Sequence, residues 1–144
     1  MSELLAKAIN IAIEAHKGQT DYSGVPYIVH VMNVMRAGRT DAEKIVGVLH
    51  DVVEDTDWTF DALLKEGFPT EIVDALRCVT KISEDEPYDD FIERVKINPL
   101  AAAVKINDLT DNMDVRREDE INDYVVNRLR KYLKAYKELT KINK

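Results

Sequence analysis

The chain has 144 residues, a length typical of a single domain with one sizeable hydrophobic core. Hydrophobic residues make up 45% of it and charged residues 33%, a composition that excludes an intrinsically disordered chain. Acidic side chains outnumber basic ones by 27 to 20, and the net charge of −7 argues against a protein that binds long nucleic acids through their phosphates. With only five glycines and four prolines, a turn-rich all-β fold is disfavoured and long helices are expected.

The single cysteine excludes an internal disulfide, and Cys78 lies in an apolar helical pattern that is typical of a buried structural thiol. The N-terminal segment contains Glu3 and no cleavable apolar stretch, so no signal peptide is expected. The apolar runs are shorter than a membrane span. These features predict a cytoplasmic protein without a membrane partner, in which an anionic small-molecule substrate would need a local positive site or a metal.

Taken in chain order, the apolar periodicity is helical almost throughout. It predicts helices over residues 2–17, 27–37, 40–53, 59–66, 70–79, 87–96, 98–112 and 121–139. Thr40, Thr59, Thr70 and Asn98 are the expected N-caps of four of these helices, and Glu43 completes a capping box with Thr40. No segment alternates as a strand would. We therefore expect an all-α fold of about seven to eight helices in one domain.

The segment from His50 to Asp55 is the most informative part of the sequence. On a continuous helix, His50 and Glu54 would be neighbours four residues apart, as would Asp51 and Asp55. Three carboxylates at the C-terminal end of a helix repel one another and oppose the helix dipole, which is costly unless a divalent cation lies among them. Imidazole with carboxylate oxygens suits Mn²⁺, Fe²⁺ or Zn²⁺, whereas the absence of cysteine ligands argues against a structural zinc site.

A second group of polar residues lies on one predicted helix face. Lys105, Asp108 and Asn112 are spaced at i, i+3 and i+7 in an otherwise apolar segment. A carboxylate there needs a partner, and this spacing leaves open whether Asp108 meets a metal, a salt bridge or solvent. A lone histidine on an apolar helix is usually a core residue, so His16 and His30 do not by themselves indicate a site.

Together these motifs resemble the HD-domain hydrolases of the RelA/SpoT type, in particular their small single-domain members and the metazoan SpoT homologues. The resemblance implies a helical HD-domain bundle, as a single domain over residues 1–144. The segments that carry it are Gln19–His30, the pattern His50-Asp51-x-x-Glu54-Asp55-Thr56, and Val104-Lys105-Ile106-Asn107-Asp108 with Asn112.

The resemblance also implies roles for individual residues. One divalent cation, usually Mn²⁺ in this family, would be held by His30, His50, Asp51 and Asp108. Glu54 and Asp55 match the acidic pair that the family places beside the attacking water, and the sequence does not decide which of them is the general base. The expected contacts to a nucleotide substrate, from the sugar and phosphates to the pocket wall, are Asn112, Lys105, Tyr132, Arg128, Tyr27 and His16.

The reaction that the resemblance implies is removal of the 3′-pyrophosphate from the guanosine polyphosphate alarmones ppGpp and pppGpp of the stringent response. One departure stands out, because Asp21 occupies the position where the family carries a guanine-recognising arginine. Two alternatives therefore stay open: hydrolysis of another phosphorylated nucleotide, such as the 2′-phosphate of NADPH, and a non-catalytic nucleotide- or metal-binding sensor. Intact Glu54 and Asp55 argue against the sensor.

Overall fold

The computed structural model describes residues 2–142 and, for residue 142, the backbone only. Within that range the chain is helical and contains no named β-strand, so the all-α prediction is confirmed. The α-helices are α1 (Glu3–Ala15), α2 (Tyr27–Ala37), α3 (Asp41–Leu49), α4 (Val52–Asp55), α5 (Phe60–Lys65), α6 (Thr70–Val79), α7 (Tyr88–Ile97), α8 (Pro99–Asn112) and α9 (Asp123–Ile142). A short 3₁₀ helix, η1 (Val115–Arg117), joins α8 to α9.

Local capping signals explain where several helices begin. Thr40, Thr59 and Asn98 each accept a hydrogen bond from the backbone N–H three residues further on, at 3.1, 3.1 and 3.0 Å, as predicted. The prediction for Thr70 is wrong, because α6 begins at Thr70 itself and its N-cap, Pro69, has no side-chain hydrogen bond to offer. Three of the four predicted caps therefore fix the start of their helices.

The last helix begins slightly later than its apolar pattern predicts. Asn122 accepts a hydrogen bond from the backbone N–H of Val125 at 3.0 Å, which caps the first turn of α9. The predicted start at residue 121 therefore lies just outside the helix, and α9 continues three residues past the predicted end at 139.

Helix α3 lies at the centre of the fold. It packs against α1, α2, α6 and α8, and its five residues from Ile45 to Leu49 are all buried. A side chain at Gly47 would place its Cβ 3.2 Å from the carbonyl oxygen of Val34, so glycine permits the close approach of α3 to α2. This approach packs the end of α3 against α2, whose first turn carries the first candidate side chain, His30.

Two smaller expectations concern Cys78 and membranes. Cys78 is partly buried against the hydrophobic core, and burial raises the pKa of its thiol. Among the helices of residues 2–142, none combines the length and apolar character that crossing a membrane would require.

Candidate metal centre

The junction between α3 and α4 differs from the sequence prediction. The expected continuous helix through residue 53 is wrong, because α3 ends at Leu49, and His50 and Asp51 form the link to the single turn α4. His50 is buried at 3% exposure and Asp51 is partly buried, whereas Glu54 and Asp55 are exposed. The four groups therefore do not share one helix face, since burial of the first two bends the chain between them and the acidic pair.

Four predicted side chains nevertheless converge, and we call them the His/Asp cluster: His30 from α2, His50 and Asp51 from the α3–α4 junction, and Asp108 from α8. The first three each offer a ligand atom within 4.8 Å of the others. The Oδ1 atom of Asp108 lies 2.9 Å from Nε2 of His30 and 3.2 Å from Nε2 of His50. Asp51 places Oδ2 3.0 Å from Nε2 of His50.

Hydrogen bonds at the far side of each imidazole fix its orientation. Nδ1 of His50 donates to the carbonyl oxygen of Gly47 at 2.6 Å, since that oxygen can only accept. Nδ1 of His30 pairs with Oδ2 of Asp111 at 2.6 Å, where a carboxylate likewise takes the role of acceptor. Both Nε2 atoms are therefore directed into the His/Asp cluster, which is the arrangement of metal-binding histidines in proteins.

The donor set of the His/Asp cluster fits a divalent cation. Among the described residues, Nε2 of His30 is buried and has no well-oriented hydrogen-bond partner, although the Oδ1 atom of Asp108 lies 2.9 Å away. An imidazole lone pair facing carboxylate oxygens is unfavourable unless a proton or a cation lies between them. Two imidazoles and two carboxylates suit a borderline metal such as Mn²⁺, Fe²⁺ or Zn²⁺. The structure thus contains a possible His/Asp metal site.

The electrostatics of the His/Asp cluster also favour positive charge. Burial by itself lowers the pKa of His50, but the nearby carboxylates of Asp51 and Asp108 raise that pKa well above its usual value. Burial would raise the pKa of Asp51, yet the His50 imidazole lowers it to about 2. Both carboxylates are therefore ionised at neutral pH, and their field would attract a cation as well as a proton.

Lys105 and Asn112 share a face of α8 with Asp108, as the sequence spacing predicts. The Nζ atom of Lys105 lies 2.7 Å from Oδ2 of Asp108, and the amide nitrogen of Asn112 donates to Oδ1 at 3.0 Å. Burial opposes the charge of Lys105, but Asp108 holds the pKa of that ammonium above its usual value. Lys105 therefore stays charged and its first partner is the Asp108 carboxylate.

Tyr27 and His16 lie one behind the other next to the His/Asp cluster. The hydroxyl of Tyr27 donates to Oδ2 of Asp51, and burial together with that carboxylate raises the pKa of the phenol, so Tyr27 stays protonated. The ring of His16 lies 5.3 Å from the ring of Tyr27, and its Nδ1 is 2.9 Å from Oε1 of Gln19. At 2% exposure, His16 supports the wall formed by Tyr27 instead of facing the cleft.

Glu54 and Asp55 are exposed, and of the two only Glu54 is among the residues that line the cleft. Oε1 of Glu54 accepts a hydrogen bond from the backbone N–H of Lys81 at 3.1 Å, and Glu54 lines the cleft beside the His/Asp cluster. Partial burial, together with the charges of Asp51 and Glu54, raises the pKa of Asp55 to about 6. Asp55 is therefore mostly ionised at neutral pH but remains basic enough to accept a proton.

The cleft contains most of the residues predicted to contact a nucleotide. Its lining includes Tyr27, Asp51, Glu54, Lys105, Asp108, Asn112, Lys131 and Tyr132. A second cavity adjoins it through Tyr27 and Asn112, and Arg128 lies there. The guanidinium of Arg128 lies 5.6 Å from the ring centre of Tyr132, so the two residues expected on α9 form a cation–aromatic pair between the two cavities.

Two further residues belong to the site and were missed by the sequence analysis. Asp111 contacts His30, and Nη1 of Arg117 lies 3.1 and 3.0 Å from the two carboxylate oxygens of Asp111. Burial opposes ionisation of Asp111, but the hydrogen bonds from His30 and Arg117 hold its pKa below the usual value. The signal that could have indicated Asp111 is its spacing, since it follows Asp108 by three residues on the same helix.

Asp21, the residue that departs from the family pattern, has a local structural role. Its Oδ1 atom accepts hydrogen bonds from the backbone N–H groups of Ser23 and Val25, both at 2.9 Å. This pattern closes the loop between α1 and α2. Its other oxygen lies 3.8 Å from Nε of Arg117, so an arginine from η1 lies beside the position where the family carries its own.

Comparisons with known proteins place this site in context, although no family model matches the chain. The chain is 31% identical to a guanosine-3′,5′-bis(diphosphate) 3′-pyrophosphohydrolase of Aquifex aeolicus over 123 residues, which cover 78% of the chain and 18% of that protein. It is 32% identical to the protein of the same name from Vibrio cholerae over 124 residues, 77% of the chain and 18% of that protein. The chain thus spans less than a fifth of these relatives.

A solved structure matches nearly the whole fold. The metazoan orthologue of SpoT, described as hydrolysing ppGpp, superposes with a TM-score of 0.78 and 23% identity, over 99% of this chain and 86% of that one. The chain therefore has the fold of that structure, an all-α domain, and its His/Asp cluster lies beside an open cleft. The sequence matches make the chain a relative of the RelA/SpoT-type pyrophosphohydrolases, and the resemblance drawn from its motifs is confirmed.

Proposed function

We propose that this protein is a metal-dependent hydrolase that removes the 3′-pyrophosphate from guanosine 3′,5′-polyphosphates such as ppGpp and pppGpp. The observation that carries the proposal is the convergence of two imidazole Nε2 atoms and two ionised carboxylates beside an open cleft. The names of the sequence relatives support the choice of substrate class. The proposed substrate is a small nucleotide, and the proposed location of the protein is the cytoplasm.

The proposed metal ligands are His30, His50, Asp51 and Asp108, and the proposed ion is Mn²⁺. Mixed nitrogen and oxygen donors favour a borderline ion over Mg²⁺, which prefers oxygen ligands alone. When bound, such an ion lowers the pKa of a coordinated water and offsets charge that develops on a phosphoryl oxygen. Lys105 and Tyr27 hold the two carboxylates of the cluster in place from either side.

Asp55 is the proposed general base, with Glu54 beside it. In the reaction, a water oxygen bonds to the phosphorus attached to O3′, the P–O3′ bond breaks, and pyrophosphate leaves. The proton of the water goes to a carboxylate, and O3′ gains a proton as it becomes a hydroxyl. Asp55 suits the first transfer because its pKa of about 6 lies near neutral pH. Glu54 suits an orienting role because the backbone of Lys81 already holds one of its oxygens.

The remaining cleft residues are proposed to bind the nucleotide. Asn112 lies between the two cavities, where it can meet the sugar, and Tyr132 offers an aromatic face to the base. Lys131 and Lys81 add positive charge to the cleft and suit the phosphates. Arg128 lies beside Tyr132 and is the proposed contact for a phosphate in the adjoining cavity.

Incubation of the purified protein with Mn²⁺ and ppGpp tests this proposal. We expect release of pyrophosphate and formation of GDP, measured by chromatography, and release slowed about 10²–10⁴-fold in the double variant Glu54→Gln/Asp55→Asn. Absence of pyrophosphate from a folded, Mn²⁺-loaded protein would reject the alarmone as substrate. Asp21 has no guanidinium group to bind guanine, and its Oδ1 atom is occupied by the loop backbone. A parallel reaction with NADPH therefore tests the alternative substrate. Release of phosphate from NADPH, without release of pyrophosphate from ppGpp, would identify a hydrolase of another nucleotide.

A further inference from the structure

The two imidazoles of the His/Asp cluster are oriented by different kinds of acceptor. His50 uses the backbone carbonyl of Gly47, an uncharged group that every residue at that position would also provide. His30 uses the side chain of Asp111, which comes from α8 and lies 81 residues away in the chain. The orientation of His30 therefore depends on a residue that can be exchanged.

Asp111 is itself held from several directions. Nη1 of Arg117 lies 3.1 and 3.0 Å from its two carboxylate oxygens, and Nη2 donates to its backbone carbonyl at 3.1 Å. The amide nitrogen of Asn33 donates to Oδ1 of Asp111 at 3.0 Å. The Asp111 side chain is 11% exposed and that of Arg117 is 23% exposed, so solvent screens this ion pair only in part.

We infer that Asp111 is a positioning residue that directs Nε2 of His30 into the His/Asp cluster, and that Arg117 holds Asp111 in that role. This inference rests on the proposed function, since it concerns the affinity of the proposed metal site. Asp111 touches neither the cleft nor a reacting atom. It acts through the His30 ring, because an acceptor at Nδ1 keeps the hydrogen there and leaves the Nε2 lone pair for a ligand bond.

The chain contains a matched control for this pair of residues. Asp114 and Arg116 form an ion pair at 2.7 Å between the same residue types, immediately beyond α8. The Arg116 side chain is 87% exposed, and the contacts of this pair do not include the His/Asp cluster. Substitutions in the two pairs therefore make the same chemical change, one at His30 and one away from the His/Asp cluster. Asparagine at position 114 keeps an oxygen that can accept from the backbone N–H of Arg116, as Asp114 does.

The test compares Mn²⁺ affinity, measured by equilibrium dialysis, for Asp111→Asn against Asp114→Asn, and for Arg117→Gln against Arg116→Gln. Asparagine keeps the shape of aspartate but has one acceptor oxygen, so its amide group either meets the donors of Asn33 and Arg117 or replaces Oδ2 and faces Nδ1 of His30. We expect Asp111→Asn to weaken Mn²⁺ binding about 10–100-fold and Arg117→Gln about tenfold, as for other partners of metal-binding histidines. The two control variants should stay within about twofold of the wild type.

A second measurement separates orientation of His30 from a general loss of structure. Nitrogen-15 NMR of the histidine rings in metal-free protein, at alkaline pH where imidazoles are neutral, reports which nitrogen carries the hydrogen. We expect His30 to carry it on Nδ1 in the wild type and to become a mixture of both forms in Asp111→Asn. The His50 signals should not change, because the Gly47 carbonyl remains.

The outcomes distinguish this inference from the proposed function. Wild-type Mn²⁺ affinity in Asp111→Asn, with an unchanged His30 signal, would overturn the role of Asp111 alone. A wild-type protein that binds Mn²⁺ but hydrolyses no nucleotide would reject the proposed reaction, and the Asp111 comparison would still decide the present inference. A wild type that binds no divalent ion would overturn both.

Discussion

The two sides of the cleft differ in how firmly their acidic groups are held. On one side, the His/Asp cluster is largely buried, and its members are held by hydrogen bonds from α2 and α8 and by the Gly47 carbonyl of α3. On the other side, Glu54 and Asp55 are exposed on the single turn α4, where one backbone N–H holds Glu54. Asp51 and Glu54 are only three residues apart in the sequence, yet Asp51 is partly buried and Glu54 is exposed. The difference in how firmly they are held follows from this difference in burial.

This difference suits a division of work between binding and chemistry. Buried groups that hydrogen bonds already orient lose little further freedom when they bind an ion, so they favour affinity. On the exposed side, Asp55 has a pKa raised to about 6, and both acids have room to approach a ligand, which favours proton transfer. If this division holds, a substitution on one side of the cleft should leave the function of the other side unchanged.

The largest expected effect comes from removing a member of the buried side. The change His50→Ala deletes one proposed ligand and leaves a cavity between two carboxylates, so we expect Mn²⁺ uptake to disappear and hydrolysis to fall to background. The increase in melting temperature that Mn²⁺ gives the wild type should vanish as well. Lys134→Ala, in the exposed ion pair with Asp89, is the control, and normal Mn²⁺ uptake by His50→Ala would remove His50 from the ligand set.

The acidic pair should affect the reaction without affecting the ion. We expect Glu54→Gln/Asp55→Asn to bind Mn²⁺ as the wild type does, because neither residue lies within the His/Asp cluster. Hydrolysis should fall about 10²–10⁴-fold, the range typical of a lost general base. Asp57→Asn is the control at a nearby exposed acid, and undiminished turnover by the double variant would contradict the proposed mechanism.

The ion pair between Lys105 and Asp108 should matter to stability even without a metal. Asp108→Ala leaves the buried ammonium of Lys105 without its counter-ion, which is expected to lower the free energy of unfolding by about 3–5 kcal/mol. Adding Lys105→Met to that variant should restore most of the loss, as measured by urea unfolding. Glu93→Ala, in an exposed pair of the same spacing, should change stability little, and an equally small effect of Asp108→Ala would show that Lys105 is solvated.

The smallest expected effect concerns Asp55 and pH. Its pKa is raised from 3.8 to about 6 in the folded protein, so folding disfavours the ionised form, and stability is lost as pH rises through about 6. Two units would amount to about 3 kcal/mol, but solvent screening of this exposed group reduces the effect to about 1 kcal/mol. Asp55→Asn should therefore stabilise the metal-free protein at about pH 8 and not at about pH 4. A stabilisation equal at both values would contradict the raised pKa.

The sequence predicted those features that depend on local rules. Thr40 and Asn98 begin their helices by hydrogen bonds within one turn, and Lys105, Asp108 and Asn112 share a face because helical spacing is regular. The break at His50 could not be predicted in this way. It follows from burial of two polar side chains against α2 and α8, a tertiary effect that outweighs helical continuity.

The contribution of Asp111 escaped prediction for a related reason. Its spacing from Asp108 was visible, but its partners His30 and Asn33 come from α2, far away in sequence, and Arg117 comes from η1. Only the packing of α2 against α8 brings these groups together. Membership of the His/Asp cluster was predictable because the motifs resemble those of a known family, whereas its supporting contacts depend on how the helices pack.

The close contact at Gly47 has a consequence for how such a protein can diverge. A main-chain oxygen anchors His50, so no single exchange of a side chain removes that anchor, and a Cβ at position 47 would lie only 3.2 Å from the carbonyl oxygen of Val34, which disfavours larger residues there. The acceptor of His30 is a side chain, Asp111, which a single substitution can change. Evolutionary changes in metal affinity are therefore expected at Asp111 and its partners more than at the acceptor of His50.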